Sequence, residues 1–119
     1  MTPNEKSKAV KLPGARVLLV VGAYHTGVVE QLVKGAEAAI KAAGAKVDRV
    51  DVPGAFELPA AIVYASCSHA FDGYVALGCV VKGDTDHYDY ICSEAARGLM
   101  ELSRDGFCIG FGVRPAVRP

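Results

Sequence analysis

Apolar and polar positions along the chain fall into four strand-like and three helix-like stretches. Val17-Leu18-Leu19-Val20-Val21 is a continuous, β-branched-rich run closed by Gly22, the kind buried on both faces of a parallel sheet. From Val28 to Ala43, apolar residues recur at Val28, Val29, Leu32, Val33, Ala36, Ala39, Ile40 and Ala43, one stripe at helical spacing. Thr26 is a suitable N-cap and Gly44 a suitable stop. Lys46 to Val52 alternates as a strand, with Val50 and Val52 set against Arg49 and Asp51, and Pro53-Gly54 breaks it. Leu58 to Ser68 reads as an Ala-rich helix with Pro59 in its first turn. Tyr74 to Leu77, extending toward Val81, is a third strand, and Lys82 to Asp86 a polar loop. From His87 to Arg104, Tyr88, Ile91, Ala95, Leu99 and Leu102 share a helical face. Asp105-Gly106 turns the chain into a fourth strand, Phe107 to Val113.

The order βαβαβαβ predicts a three-layer α/β fold of flavodoxin-like type. It has a parallel four-stranded sheet, right-handed crossovers and helices on both faces. Ligands of such sheets bind at the carboxyl ends of the strands, so chemistry is expected in the loops after Val21, Val52 and Val81. With 119 residues there is room for one domain. Residues 1–16 read as a flexible arm, 17–113 as the domain and 114–119 as an atypical tail. Lys+Arg and Asp+Glu balance at 13 each, which removes the basic surface that nucleic acid requires. No apolar run approaches the roughly 20 residues that span a bilayer. Lys6, Lys8 and Lys11 are not followed by the apolar core of a signal peptide, so the expected location is cytoplasmic. Cys67, Cys79, Cys92 and Cys108 are far apart and are expected to be buried thiols rather than disulfides or zinc ligands. No metal site is expected from three scattered His and no paired Cys.

Several residues at the expected ligand edge have both a chemical and an ordinary explanation. Gly83-Asp84-Thr85 before a helix would cradle an anion on free N–H groups, with Lys82 nearby. An ordinary strand-to-helix turn capped by Thr85 or Asp86 accounts for the same residues. His87 at that helix start would stay neutral and could move protons, or it is a helix-terminal polar residue. Glu57 either meets the start of the second helix or accepts hydrogen bonds from a polar ring. Tyr24 could stack on a planar heterocycle, or is simply a loop residue. His25 lies on the ligand edge but could merely help to cap its helix, and His69 falls away from that edge.

Two blocks tie these residues together. Val52-Pro53-Gly54-Ala55-Phe56-Glu57-Leu58-Pro59 resembles the V-P-G-A-F-E-[IL]-P block of the lumazine synthase family. The segment from Leu77 to Tyr90 resembles its L-G-x-V-I-[RK]-G-x-T-x-H-[FY]-[DE] block. The resemblance runs from about Val17 to Val113. It implies condensation of 5-amino-6-ribitylaminouracil with 3,4-dihydroxy-2-butanone 4-phosphate to 6,7-dimethyl-8-ribityllumazine, with no cofactor. It places Tyr24 against the pyrimidine, with Ala55, Phe56 and Glu57 on the pyrimidine and ribityl side. Cys79, Val80 and Val81 form the floor, Asp84 and Thr85 the phosphate loop, and His87 the general acid/base. Phe111 matches a position that reaches into a neighbouring subunit's site. The resemblance further implies a homo-oligomer, a pentamer or larger shell, and riboflavin synthase as a partner. The chain departs from the family at Ala23, where Arg is frequent, and at His25, where Asn is common. After Val113 it also lacks the family's C-terminal helical segments, whose Arg and Lys hold phosphate. The sequence-based expectation is therefore a truncated copy, weak or inactive unless assembly compensates. The alternative is a homologue that binds a flavin-like heterocycle or acts as a scaffold.

Overall fold

The computed structural model describes residues 11–23, 26–82 and 88–117. Four parallel strands lie in the order β2-β1-β3-β4: β1 is Arg16–Gly22, β2 Lys46–Val52, β3 Gly73–Lys82 and β4 Ile109–Val117. The connecting helices are α1, Thr26–Ala42, α2, Leu58–Ser66, and α3, Tyr88–Arg104. Because side chains alternate along a strand, odd and even residues of β1 serve two cores. Leu19 and Val21 pack with Leu77 and Cys79 against Val29 and Val33 of α1. Leu18 and Val20 pack on the other face with Leu58, Ile62, Ala95 and Leu99 of α2 and α3. The chain steps outward from β1 to β2, then back across β1 to β3, which puts α1 opposite α2 and α3 and makes the expected three layers.

The expected elements all form, with differences that have local causes. In α1 the buried stripe is Val29 and Val33, flanked by partly buried Leu32, Ala36 and Ile40, while Val28 turns outward at 43% exposure. Two residues past the end of the helix, Gly44 has a φ of +85°, the left-handed conformation of a terminating glycine. Val50 is exposed although it shares a face with Val52, because β2 is an edge strand. On its other face Arg49 binds Glu30 of α1 (2.6 Å) and neighbouring Asp51 (2.7 Å). The helix expected over 58–68 stops at Ser66 and is preceded by a separate 3-10 turn, Ala55–Glu57.

The fourth strand starts two residues later than expected. The Phe107 amide donates to the Leu102 carbonyl and so closes α3, while the Phe107 ring packs beside Tyr74. The strand also continues beyond Val113, because β3 runs on to Lys82 and pairs residue for residue as far as Val117. Residues 114–117 of the expected tail thus belong to the sheet. Pro115 is accommodated because β4 is an edge strand.

The cysteine expectation holds only in part. Cys79 is buried and Cys92 half-buried, but Cys67 and Cys108 are exposed, and none of the four forms a disulfide. Cys67 caps the solvent end of α2, and Cys108 lies in the connection before the edge strand β4, so neither enters a core. No described helix is long and apolar enough to cross a membrane.

Candidate active site

The site expected at the carboxyl edge begins where β2 ends. Pro53-Gly54 turns the chain, and the Glu57 amide closes a 3-10 turn on the Gly54 carbonyl at 3.2 Å. The Ala23 amide donates to the Val52 carbonyl at 2.9 Å, tying the end of β1 to the same turn. Behind the turn, fully buried Leu58 anchors the start of α2, and Ala55 is buried beneath it. Phe56 faces outward at 50% exposure and stacks on Tyr90 of α3, with centroids 6.0 Å apart and planes 19° from parallel. Helices α2 and α3 approach closely here. A Cβ on Gly98 would lie 2.8 Å from Pro59 Cγ.

Glu57 is half-buried and is the N-cap residue of α2, yet its side chain makes no capping hydrogen bond. Among the described residues its carboxylate has no hydrogen-bond or ion-pair partner. A carboxylate at a helix start is favoured by the helix dipole, and an unengaged one keeps its lone pairs for ring N–H or hydroxyl donors.

The floor has a different origin. The β1 ladder ends at Val21–Leu77, whereas β3 continues to Lys82. Beyond Gly78, β3 is paired through β4 alone, so its β1-side edge projects past the last β1 partner, beside the Ala55–Glu57 turn. Cys79 and Val80 are both buried, Cys79 toward α1 and Val80 toward α2 and α3. Any ligand over them meets main chain rather than side chain. Main-chain amides and carbonyls suit the edge of a planar heterocycle that carries both donors and acceptors.

Of the expected site residues, Ala55, Phe56, Glu57, Cys79, Val80 and Val81 are thus brought to one edge. Phe111 is not. It pairs with Ala76 near the start of β4 and lies 55% exposed in an apolar groove of about 370 Å³ with Met100 and Ile109. Tyr24, His25, Asp84, Thr85 and His87 lie outside the described residues. His69 sits at the opposite end of the sheet, exposed, with φ +54°, beside a shallow cavity lined by Tyr74, Phe107 and Cys108. There Tyr74 is 6% exposed, and burial, helped by nearby Cys67, pushes its phenol above the ordinary value. No group of three potential metal ligands occurs among the described residues. Tyr90 stands at the end of the second block and has no role of its own in the sequence; its stacking on Phe56 comes from tertiary packing.

Comparison with known proteins adds an independent view. Residues 14–116 match the family model described as 6,7-dimethyl-8-ribityllumazine synthase. The chain is similar to the 6,7-dimethyl-8-ribityllumazine synthase of Novosphingobium aromaticivorans, 44% identical over 99 residues, covering 83% of this chain and 71% of the relative. The protein of the same name from Methylobacterium radiotolerans is 49% identical over 92 residues, 77% of this chain and 56% of the relative. That from Zymomonas mobilis is 42% identical over 99 residues, 83% and 71% respectively.

Proposed function

This chain belongs to the 6,7-dimethyl-8-ribityllumazine synthase family, and from that premise we propose that it is a transferase of riboflavin biosynthesis. It condenses 5-amino-6-ribitylaminouracil with 3,4-dihydroxy-2-butanone 4-phosphate at the carboxyl edge of its sheet. The amine of the pyrimidine adds to the ketone and water leaves to form an imine. Phosphate is then eliminated, and ring closure with loss of a second water completes the lumazine. Most of the rate comes from holding two reactants in register, with proton transfers timed by one neutral imidazole. Glu57 receives the ribityl and ring donors, and the main chain of 79–81 aligns the pyrimidine. Asp84 and Thr85 belong to the phosphate loop, Tyr24 stacks on the ring, and His87 relays protons.

The single observation that carries this assignment is the projecting edge of β3 set beside a carboxylate with no partner among the described residues. A pyrimidine with donors and acceptors on one rim complements both. The same proposal extends to a cytoplasmic homo-oligomer that works with riboflavin synthase; Phe111 and Met100, exposed at 55% and 62% in one groove, support the oligomer alone.

The test is pyrimidine binding by calorimetry to the parent chain and to Glu57→Ala. Losing hydrogen bonds to a charged group removes about 1.5–3 kcal/mol, or roughly 10- to 150-fold in affinity. Equal affinities would remove Glu57 from the site. His87→Ala is expected to slow turnover while leaving the assembly size unchanged.

A further inference from the structure

The segment Ala55–Glu57 owes its place to residues that have no chemistry of their own. Gly22, the last residue of β1, is buried, and a Cβ built on it would lie 3.0 Å from the Gly54 carbonyl carbon and 3.1 Å from the Ala55 nitrogen. Those atoms are main chain and cannot swing aside as a flexible side chain would. Gly22 does not have the positive φ that makes glycine a conformational requirement, so what it supplies is space. On the next strand, Gly78 gives a looser fit, with ordinary contacts of 3.7 Å to Ala55 Cβ and Leu58 Cδ1. From the solvent side, Tyr90 of α3 lies flat against Phe56 although it is itself 58% exposed.

We propose that Gly22 and Tyr90 are positioning residues for the pyrimidine side of the site. Gly22 sets how deeply the Gly54–Glu57 main chain seats on the sheet, and Tyr90 fixes the Phe56 ring from the opposite side. A methyl group on Gly22 lifts the turn by tenths of an ångström, which moves the Glu57 carboxylate relative to the β3 edge. What a Cβ on Gly22 would meet is the Gly54–Ala55 main chain, whereas the proposed phosphate residues follow β3 in the sequence, so the two substrates are expected to respond unequally. Gly78→Ala keeps ordinary contacts and leaves the turn in place.

The experiment has a structural arm and a kinetic arm, and only the kinetic arm rests on the proposed condensation. Hydrogen exchange, read by mass spectrometry on peptides covering 54–58, is compared for the parent chain, Gly22→Ala and Gly78→Ala. Ile62→Val serves as a control that weakens the core away from the turn. Faster exchange confined to this segment in Gly22→Ala is expected, with Gly78→Ala and Ile62→Val unchanged there. In turnover, KM for the pyrimidine should rise about tenfold in Gly22→Ala, while KM for the butanone phosphate stays within about twofold, since small misplacements of a positioning group cost rate steeply.

Unchanged exchange and an unchanged pyrimidine KM in Gly22→Ala would overturn the proposal, as would an equal rise in both KM values. A parent chain without turnover refutes the condensation, and exchange then decides the positioning role alone. If Gly22→Ala does not fold, the exposed Tyr90 provides the second route. Tyr90→Ala should loosen the segment and raise the pyrimidine KM, and Tyr90→Phe should restore both. A Tyr90→Ala chain indistinguishable from the parent would then refute the proposal.

Discussion

Leu58 links the stability of the fold to the candidate site. It is fully buried, it opens α2 immediately after Glu57, and its Cδ1 reaches to within 3.7 Å of where a Gly78 side chain would begin. Leu58→Ala removes three buried carbons and leaves a cavity between α2 and the central strands. Such truncations cost about 2–5 kcal/mol, depending on how far the surroundings collapse. The rigid sheet on one side allows little collapse, so a loss of about 3 kcal/mol is expected. That is a large share of a stability of roughly 5–15 kcal/mol. With a urea slope near 2 kcal/mol/M, the unfolding midpoint drops by about 1.5 M. The assay is urea unfolding followed by far-ultraviolet circular dichroism at two protein concentrations, which separates an effect on folding from one on assembly. Val63→Ala on the same helix, 42% exposed, should shift the midpoint far less. A Leu58→Ala loss below about 1 kcal/mol, at unchanged slope, would refute the packing described for the turn.

Two pH effects follow from individual groups. Burial holds the Tyr74 phenol above its ordinary 10.0, so the folded state resists its ionisation. The corresponding stability is complete below pH 10 and is lost as pH rises through the higher folded value. Tyr74→Phe should therefore flatten the alkaline limb of a stability–pH curve and leave pH 7 stability nearly unchanged, since the hydroxyl has no hydrogen-bond partner among the described residues. An alkaline limb identical to the parent's would count against it. The Arg49 guanidinium holds the Glu30 carboxyl below its ordinary 4.5, so this pair contributes above that pH and its contribution fades as pH falls through the lowered value. Arg49→Ala should be less stable than the parent at pH 7 and low salt, and the difference should vanish toward pH 2 and in 1 M salt, because exposed pairs are screened. A gap that persists in acid would mean that Arg49 acts by packing.

The sheet, its parallel order and its three helices were legible because the buried strands Val17–Val21 and Tyr74–Leu77 read as continuous apolar runs and α1 and α3 carry clear stripes. What stayed hidden depends on neighbours distant in sequence. The outer part of β4 forms because β3 outruns β1, and nothing local in Arg114 to Val117 indicates it. Val28 and Val50 look like core residues until edge and helix orientation are known. Within the site, the Ala55–Glu57 segment stood out as a motif. The roles of Gly22 and Tyr90 required the close approach of two backbones and the stacking of two rings, neither of which has a signature in one sequence.

The most direct test of the account is formation of 6,7-dimethyl-8-ribityllumazine by the purified, folded chain supplied with both substrates, followed by absorbance and fluorescence. Product accumulating above the uncatalysed rate, and slowed in Glu57→Ala, is the result predicted for a working site at the carboxyl edge of the sheet. Background-level product from protein shown to be folded would contradict it.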